Sequence, residues 1–459
     1  MVREHRKGVA NEMSNHANIK QQINKKERKL DPNDIYLPPG YSIEVFAKDL
    51  TTPINITFTE DGDMLVADSG IIDGNGKIMK LTEEGFIVIA DGFNPPLTGI
   101  TVYNGNIYVA HRRFVTIVRS DGSKEDIIDG LPSNGDHHNN RVVFGPDGKM
   151  YFGQGTATNT GVVGKDNDWV PDFPFFHDRP GDQITLRGEN FLSTTFLENF
   201  PDREVVTGAY EPFGIPSYPC KTIDGTTRAN GSILRANPDG SDLELVVWGL
   251  RNPFRIRFDR YGRLFAANHG MDIRGSRPVA NSPDEFQLIH PGCWYGWPDY
   301  TGGLPVTLPQ FKPEGQPQPT FLWAEHPMYP PQPFTTFQPH SATMGFSFNY
   351  NPHFGPMGDA YIAEFGAIVP TNTGGEPLYH VGHRISQIDM NNGNVSTFAQ
   401  NHSGLPAHLT GGGGFERPID AVFGLDGALY IADFGIFTAT GPTKKTGVIW
   451  KVVRECMCP

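Results

Sequence analysis

Apolar and polar positions alternate along this chain in one short unit that recurs six times. The copy INITFTEDGDMLVADSG, from Ile54, has an alternating strand, an Asp-Gly turn, and a second strand rich in apolar residues. Asp-Gly and Asn-Gly adopt the positive φ angles that tight hairpins need, so each copy is predicted to be a β-hairpin. The other copies start at Gly99, Arg141, Phe254, Met344 and Ile419.

Further strand pairs lie between these copies and raise each repeat to four strands. Examples are GKIMKLTEEGFIVIADG, SILRANPDGSDLELVVWG and RISQIDMNNGNVSTFAQ. Six four-stranded repeats without a convincing amphipathic helix predict an all-β fold, a six-bladed β-propeller with antiparallel blades. A β-sandwich or β-helix is the alternative, but neither explains four-stranded units at irregular spacing.

Closure of such a ring requires one blade completed by strands from both ends of the chain. The candidates are YSIEVFA, from Tyr41, and GVIWKVV, from Gly447. Two long Pro- and Phe-rich segments, 161–226 and 300–339, carry few strand patterns. We therefore expect them to form ordered loops over one face of the disc.

Composition supports this fold and limits the partners. Glycine (53) and proline (39) make up about a fifth of the 459 residues, which is typical of short strands joined by tight turns. The formal charge of −13 argues against a nucleic-acid partner. No run reaches the roughly 18 apolar residues of a membrane span.

The two ends of the chain differ from the rest. Residues 1–30 hold eight Lys and Arg against three Glu, so they carry +5 and leave −18 for the remainder. We predict a polar basic arm over 1–34, a propeller over 35–455 and a tail over 456–459, whose lone CMC motif is weak evidence for a metal. Without a recognisable signal peptide, the expected location is the cytoplasm, or outside it for a mature secreted or periplasmic form.

In a propeller, the inner strands of all blades start at the same end of the central channel. Polar residues just before the repeated hairpins are therefore predicted to converge there, where they would supply a general base and donors for an anionic ligand. For any single histidine, an ordinary hydrogen-bonded surface residue is the alternative. These residues are Thr52, His137, His138, Arg251, Asn252, His340 and Arg417.

Four motifs in this order resemble the glucose/sorbosone dehydrogenase family. They are HHNNRVVFGPDGKMYFGQG, GLRNPFRIRFDRYGRLFAANHGMD, DEFQLIHPGCWYGWPDY and RPIDAVFGLDGALYIADFG. That family comprises soluble quinoprotein sugar dehydrogenases that use pyrroloquinoline quinone (PQQ) and calcium on a six-bladed propeller. The resemblance implies the same fold, PQQ and Ca²⁺ as cofactors, and a small sugar as substrate.

The resemblance also implies roles for individual residues. His137 matches the catalytic histidine, which takes the proton of the sugar's anomeric hydroxyl while hydride goes to the quinone. Arg251 and Asn252 match a pair that contacts PQQ and steadies its reduced oxygen. Arg417 matches a contact to a PQQ carboxylate. The further candidates for cofactor contact at the channel mouth are His138 and His340.

A calcium site is implied in the same way. Gly270 and Met271 match positions whose backbone carbonyls bind the active-site calcium, an oxygen ligand set that suits a hard cation. Asp284 and Glu285 fall where the family often places an acidic pair, for which a structural calcium and a capping role both stay open. His269, beside the calcium position, could itself ligate a metal.

The chain departs from the characterised family members at several cofactor contacts. Phe254 replaces a glutamine, Asn268 and His269 replace Glu-Gln, and AYIAEFGAI lacks the lysine that contacts PQQ. These changes keep the residues for proton abstraction but remove cofactor contacts.

The predicted function is a quinoprotein-type oxidoreductase that oxidises the anomeric carbon of an aldose, or a related alcohol or aldehyde, and reduces an unidentified electron acceptor. One alternative is a propeller that binds a sugar or another ligand without redox turnover. Another is a metal-dependent lactonase or hydrolase, which would need a carboxylate-rich hub. The sequence leaves the sugar and the oligomeric state open.

Overall fold

The computed structural model describes residues 28–197, 199, 201, 203–367, 380–438 and 440–455. Most of the predicted basic arm and the predicted tail, with its CMC motif, lie outside these residues. No helix within the described ranges is long and apolar enough to cross a membrane.

The described elements are almost all strands. The first are β1 (Ile35–Tyr36), β2 (Tyr41–Leu50), β3 (Pro53–Phe58), β4 (Met64–Asp68), β5 (Gly76–Thr82), β6 (Gly85–Phe93), β7 (Leu97–Tyr103), β8 (Asn106–His111), β9 (Phe114–Val118), β10 (Lys124–Ile128), β11 (Val143–Phe144), β12 (Met150–Gln154), β13 (Ile184–Thr185), β14 (Asn190–Thr194), β15 (Glu204–Gly208), β16 (Thr222–Ile223) and β17 (Ser232–Ala236). The remainder are β18 (Glu244–Trp248), β19 (Pro253–Phe258), β20 (Leu264–Asn268), β21 (Asp284–Leu288), β22 (Tyr300–Thr301), β23 (Leu304–Pro305), β24 (Thr335–Phe337), β25 (Thr343–Phe348), β26 (Ala360–Glu364), β27 (Arg384–Ile388), β28 (Val395–Asn401), β29 (Pro418–Phe423), β30 (Leu429–Asp433), β31 (Phe437–Thr438), β32 (Gly441–Pro442) and β33 (Gly447–Arg454). The helical elements are α1 (Ala407–Thr410) and the 3₁₀ turns Pro32–Asp34 and Pro309–Phe311.

Six antiparallel sheets form the blades of a propeller, as the sequence predicts. Each predicted hairpin supplies the first two strands of one blade. Blade 1 is β3-β4-β5-β6, blade 2 is β7-β8-β9-β10, blade 3 is β11-β12-β17-β18 and blade 4 is β19-β20-β21-β24. Blade 5 is β25-β26-β27-β28 with β1 added at its edge, and blade 6 is β29-β30-β33-β2.

Blade 6 closes the ring with the two strands predicted from the chain ends. β2 pairs with β33 in antiparallel register, with Tyr41 opposite Arg454, and β33 pairs with β30. Arg28 adds a further link, because its Nη2 lies 2.5 Å from Oδ2 of the buried Asp433. The division of the chain at residue 34 stays a prediction, although Arg28 packs into blade 6.

The second strand of every blade ends in a buried polar side chain. In blade 4, Oδ1 of Asn268 accepts hydrogen bonds from the backbone N–H groups of Arg251 and Asn252, each at 3.0 Å. In blade 6, Oδ1 of Asp433 accepts one from the N–H of Arg417 at 2.8 Å. Such bonds satisfy buried backbone donors where an inner strand begins, and so fix the predicted functional positions. The six side chains are Asp68, His111, Gln154, Asn268, Glu364 and Asp433.

The long segments pack into a second core on one side of the blades. Segment 161–226, predicted as loop, also contains the hairpin β14–β15 and the two-residue strands β13 and β16, which pair with each other on either side of it in the sequence. Aromatic side chains from 161–226, from the end of β18 and from residues 294–323 bury each other there. The largest members of this core are Tyr210, Trp248, Trp294, Trp297, Phe311 and Trp323.

Candidate active site

Three of the predicted residues lie close together where blades 3, 4 and 5 begin: His137, Arg251 and His340. Thr156 joins the first two, because its carbonyl lies 3.0 Å from Nδ1 of His137 and its N–H donates to the carbonyl of Arg251 at 2.9 Å. Asp272 links Arg251 to His340, since its carboxylate lies 2.7 Å from Nη2 of Arg251 and 3.3 Å from Nδ1 of His340. We call these five residues the hub cluster.

A loop after β12, residues 155–161, holds the hub cluster in place. Its anchor is Asp178, a buried carboxylate that accepts hydrogen bonds from the N–H of Thr158 at 3.1 Å and from its hydroxyl at 2.6 Å. Burial raises the pKa of Asp178 to about 7, although these hydrogen bonds oppose the shift. The hydroxyl of Thr156 in turn donates to the carbonyl of Thr158 at 2.7 Å.

Gly155 brings two predicted residues close together. A Cβ atom at this position would lie 2.3 Å from Cβ of His137 and 2.8 Å from Oδ1 of Asn252. Because such distances are shorter than any van der Waals contact, only glycine fits between these side chains.

The hydrogen bonds of His137 define its tautomer. A carbonyl oxygen can only accept, so Nδ1 of His137 carries the proton that is donated to Thr156. Its Nε2 makes no hydrogen bond with any described residue and keeps a free lone pair. Burial, followed by the positive charges of Arg251 and Arg274, holds the pKa of His137 well below its ordinary value. The His137 ring is therefore held in its neutral form, with a free lone pair on Nε2.

Carboxylates compensate the arginines around His137. Arg274 lies 2.5 Å from Asp136 and 2.7 Å from Asp166, while Asp272 pairs with Arg251. Burial opposes ionisation of Asp272, but Arg251 and His340 overcome it and hold its pKa well below the ordinary value.

Asn159 ties this ionic network to the 155–161 loop. Its Oδ1 accepts hydrogen bonds from Nη2 of Arg251 at 3.1 Å and from the N–H of Asp272 at 2.8 Å. The hydrogen bond to Asp272 raises the pKa of His340, whose backbone has a positive φ of 67°.

His269 uses both ring nitrogens within the fold. Its Nδ1 lies 3.1 Å from Nδ2 of Asn252, and its Nε2 lies 2.8 Å from the carbonyl of Thr343. The ring also stacks on Phe254, with centroids 5.7 Å apart. These contacts leave no ring nitrogen of His269 free for a metal, so its predicted ligand role gains no support.

The predicted acidic pair is also engaged by protein groups. Oδ1 of Asp284 accepts from the N–H of Gly270 at 2.7 Å, and Oε1 of Glu285 accepts from the N–H of Gly302 at 2.6 Å. Burial raises the pKa of Glu285. In the described part of the chain, no three His, Cys, Asp or Glu side chains are grouped to hold a metal ion.

Unlike these side chains, the backbone carbonyls predicted to bind calcium are not engaged by other protein groups in the described structure. The carbonyl oxygens of Gly270 and Met271 accept no hydrogen bond from any described residue, although both residues are buried. Their N–H groups are held by Asp284 and by Oγ of Ser282 at 2.7 Å each. The two residues thus keep free oxygen atoms that suit a hard cation.

Among the predicted residues outside the hub cluster, His138 and Arg417 bind backbone carbonyls. Nδ1 of His138 bonds the carbonyl of Ser133 at 2.9 Å, and burial lowers its pKa to about 4. Nη1 of Arg417 donates to the carbonyls of Gly366 and Ala367 at 3.1 Å each, and burial lowers its pKa to about 10.

Sequence reasoning missed several members of this site. Asp272 directly follows Gly270 and Met271 in the motif HGMD, and Thr156 and Asn159 belong to the Thr- and Asn-rich run GTATNTG. Because polar loop residues are common, only their position after a second strand could have marked them. The remaining missed residues are Asp136, Asp166, Asp178 and Arg274.

Comparison with known proteins confirms the resemblance to quinoprotein sugar dehydrogenases. The chain is 28% identical over 179 residues to quinoprotein glucose dehydrogenase B of Acinetobacter calcoaceticus. This match covers 39% of the chain and only 29% of that protein. No protein-family profile matches the chain.

Solved structures show the same fold over most of the chain. The PQQ-bound aldose sugar dehydrogenase of Streptomyces coelicolor matches with a TM-score of 0.52 and 16% identity, over 91% of this chain and all of that one. A calcium structure of a Trichoderma reesei carbohydrate-active enzyme of family AA12 matches with a TM-score of 0.59 and 15% identity, over 94% and 100%. At this identity the likeness establishes the six-bladed propeller.

Proposed function

We propose that the protein is a sugar oxidoreductase that oxidises the anomeric carbon of an aldose, with His137 as the base. The observation that carries this proposal is the neutral tautomer of His137, with Nδ1–H fixed by Thr156 and Nε2 free. The partial match to a quinoprotein glucose dehydrogenase supports the same class of reaction.

The residues near the hub cluster fit an anionic quinone such as PQQ in two respects. Nη1 of Arg251 and Nη2 of Arg417 make no hydrogen bond with any described residue, so they remain as donors to a carboxylate or quinone oxygen. The carbonyl oxygens of Gly270 and Met271 would hold Ca²⁺. PQQ, when bound, would supply the two-electron acceptor for the reaction.

The chain's own residues then handle the proton. Nε2 of His137 accepts the proton of the anomeric hydroxyl, while Nδ1–H stays on the Thr156 carbonyl and keeps the ring oriented. Arg251 places a positive charge where negative charge develops, and Asp272 and Asn159 hold its guanidinium in position. Because Arg251 also lowers the pKa of His137, the base is restored readily after each turnover.

A direct test combines cofactor loading with two histidine variants. The protein is titrated with PQQ and Ca²⁺ by absorbance, and dye reduction is then measured with a panel of aldoses. His137→Ala should lower kcat by about 10²–10⁴-fold, the usual contribution of a general base. His353→Ala is the matched control, because this exposed histidine lies in the β25–β26 turn, at the far ends of those strands. Absence of quinone binding contradicts the proposal, and an unchanged rate in His137→Ala contradicts the assignment of the base.

Ligand binding without redox turnover is the second candidate function. One observation favours it: Asp136, Asp166 and Asp272 already neutralise Arg274 and Arg251, which weakens the attraction for a cofactor with several carboxylates. Calorimetric binding of an aldose to the quinone-free protein, together with no dye reduction after loading, would support this function instead.

A further inference from the structure

The central channel contains three arginines and one carboxylate, all from inner strands or their starts. Arg255 and Arg257 lie two residues apart on β19 and so share one face of that strand. Arg141 lies just before β11, and Asp420 lies on β29. The side chains of Arg255 and Asp420 are completely buried, and their nearest polar atoms lie 3.8 Å apart.

Contacts across the ring place these side chains around one space. Arg141 of blade 3 donates to the hydroxyl of Thr101 in blade 2 at 2.9 Å. A Cβ at Gly99, also in blade 2, would lie 2.5 Å from Cβ of Arg141 and 3.1 Å from Nη1 of Arg255 in blade 4. Nη1 of Arg255 and the Cβ and Cγ of Arg141 therefore lie around the same point beside Gly99.

Most donors in this space have no acceptor within the described chain. Nε, Nη1 and Nη2 of Arg255 are all buried without a hydrogen-bond partner, and so is Nη1 of Arg141. These three atoms of Arg255 carry all five of its N–H donors. Burial of so many unpaired charged donors is costly, and native proteins satisfy such groups with protein, water or a bound ion.

The charges do not balance either. Asp420 is the one carboxylate that faces the three arginines in the described structure, and its Oδ2 is already used by Asn55 at 2.6 Å. Arginine does not lose its proton in proteins, so the channel keeps a net charge of about +2. Water could accept hydrogen bonds from the unpaired N–H donors, but it could not compensate the positive charge.

We propose that the central channel binds a small inorganic anion, of the size and charge of chloride, between Arg141 and Arg255. Glycine also stands beside the channel carboxylate: a Cβ at Gly345 would lie 1.9 Å from Oδ1 of Asp420. This close packing around Asp420, like that around Arg141, favours a small ion over an organic anion. The site is separate from the hub cluster and does not depend on the proposed sugar oxidation.

Bromide is the probe for this site, because its anomalous scattering distinguishes it from water. Crystals of the full chain are grown or soaked in bromide. We expect an anomalous peak within hydrogen-bonding distance, about 3.5 Å, of Nη atoms of Arg141 and Arg255. A channel that contains only water, without a bromide peak, overturns the proposal.

Thermal unfolding provides the second measurement. At constant ionic strength, replacing gluconate by chloride should raise Tm by about 2–4 °C, since an ion that binds only the folded state stabilises it. Arg255→Met should remove this difference, whereas Arg263→Met, at an exposed arginine of the same blade, should keep it. Equal Tm values of the parent in both salts contradict the proposal. If Arg255→Met does not fold, the bromide result and the parent's Tm decide.

Discussion

The hub cluster and the central channel both bury arginine, but they treat its charge in opposite ways. Around the hub cluster, Arg251 and Arg274 each have a carboxylate within 2.7 Å, and the pKa of the nearby His137 is held well below its ordinary value. In the channel, Arg255 has no hydrogen-bond partner and its nearest carboxylate atom lies 3.8 Å away. This difference is what the two proposals use: a neutral histidine beside paired charges suits proton transfer, whereas unpaired buried donors suit a bound anion.

The largest expected effect is on the channel carboxylate. Asp420→Asn removes the only negative charge described among the three channel arginines, two of which are buried, so it should lower the free energy of unfolding by about 3–5 kcal/mol. Chemical denaturation measures this change. Asp63→Asn is the control, because its ion pair with Lys80 is largely exposed and should contribute less than about 1 kcal/mol. Equal effects of the two substitutions would show that the channel charge is balanced in another way.

The same substitution, glycine to alanine, can be made at one position in the channel and at one beside the hub cluster, so that the two regions are tested separately. Gly99→Ala pushes against Arg141 in the channel, and Gly155→Ala pushes against His137 in the hub region. Each should cost about 1–3 kcal/mol of stability, as overpacking does. Only Gly155→Ala should also lower kcat for aldose oxidation strongly, because it displaces the base. A comparable loss of kcat in Gly99→Ala would contradict the separation of the two regions.

A smaller effect is expected at the hub carboxylate. Asp272→Asn should lower the free energy of unfolding by about 1 kcal/mol, because the side chain is one-third exposed and water replaces part of the lost interaction. The raised pKa of His340 adds a pH dependence. Its pairing with Asp272 stabilises the fold fully below the ordinary histidine pKa of about 6.5 and is lost as the pH rises through the folded value. The difference between variant and parent in unfolding curves should therefore shrink above neutral pH, and a constant difference would exclude the His340 contribution.

The smallest effect is a spectroscopic shift. Arg251→Gln removes a positive charge that lowers the pKa of His137, so that pKa should rise toward its ordinary value. Histidine-selective NMR titration measures it directly, with His353 as an internal reference on the exposed turn. A pKa that does not move, or falls, would show that burial alone sets the protonation state of His137.

Sequence patterns predicted the blades but only part of the site. The Asp-Gly and Asn-Gly hairpins and the closing strands at Tyr41 and Gly447 are present where they were expected. Their signal is local, since alternation and turn chemistry act within about ten residues. The family resemblance likewise pointed to His137 and Arg251, because their motifs are contiguous; their roles in the reaction stay predictions.

Contacts between distant segments were beyond the reach of such patterns. Thr156 contacts His137 from the 155–161 loop, which connects β12 to later parts of blade 3 and is anchored by Asp178. Asp272 and Arg251 are held together by Asn159 from the same loop. The position of a polar residue just before a strand also did not suffice to predict that its side chain joins the hub cluster. Arg417 has the expected place in the repeat, yet it binds the backbone of its own surroundings.

The sequence by itself determined the number of blades, their hairpins and the closure of the ring, since these follow from short-range periodicity. Only the tertiary structure decided which charges meet. Arg251 and Arg255 lie four residues apart, yet Arg251 is hydrogen-bonded to a carboxylate, whereas the guanidinium of Arg255 is buried without a hydrogen bond, 3.8 Å from Asp420. Electrostatic pairing depends on distances across the ring, and no local pattern encodes them.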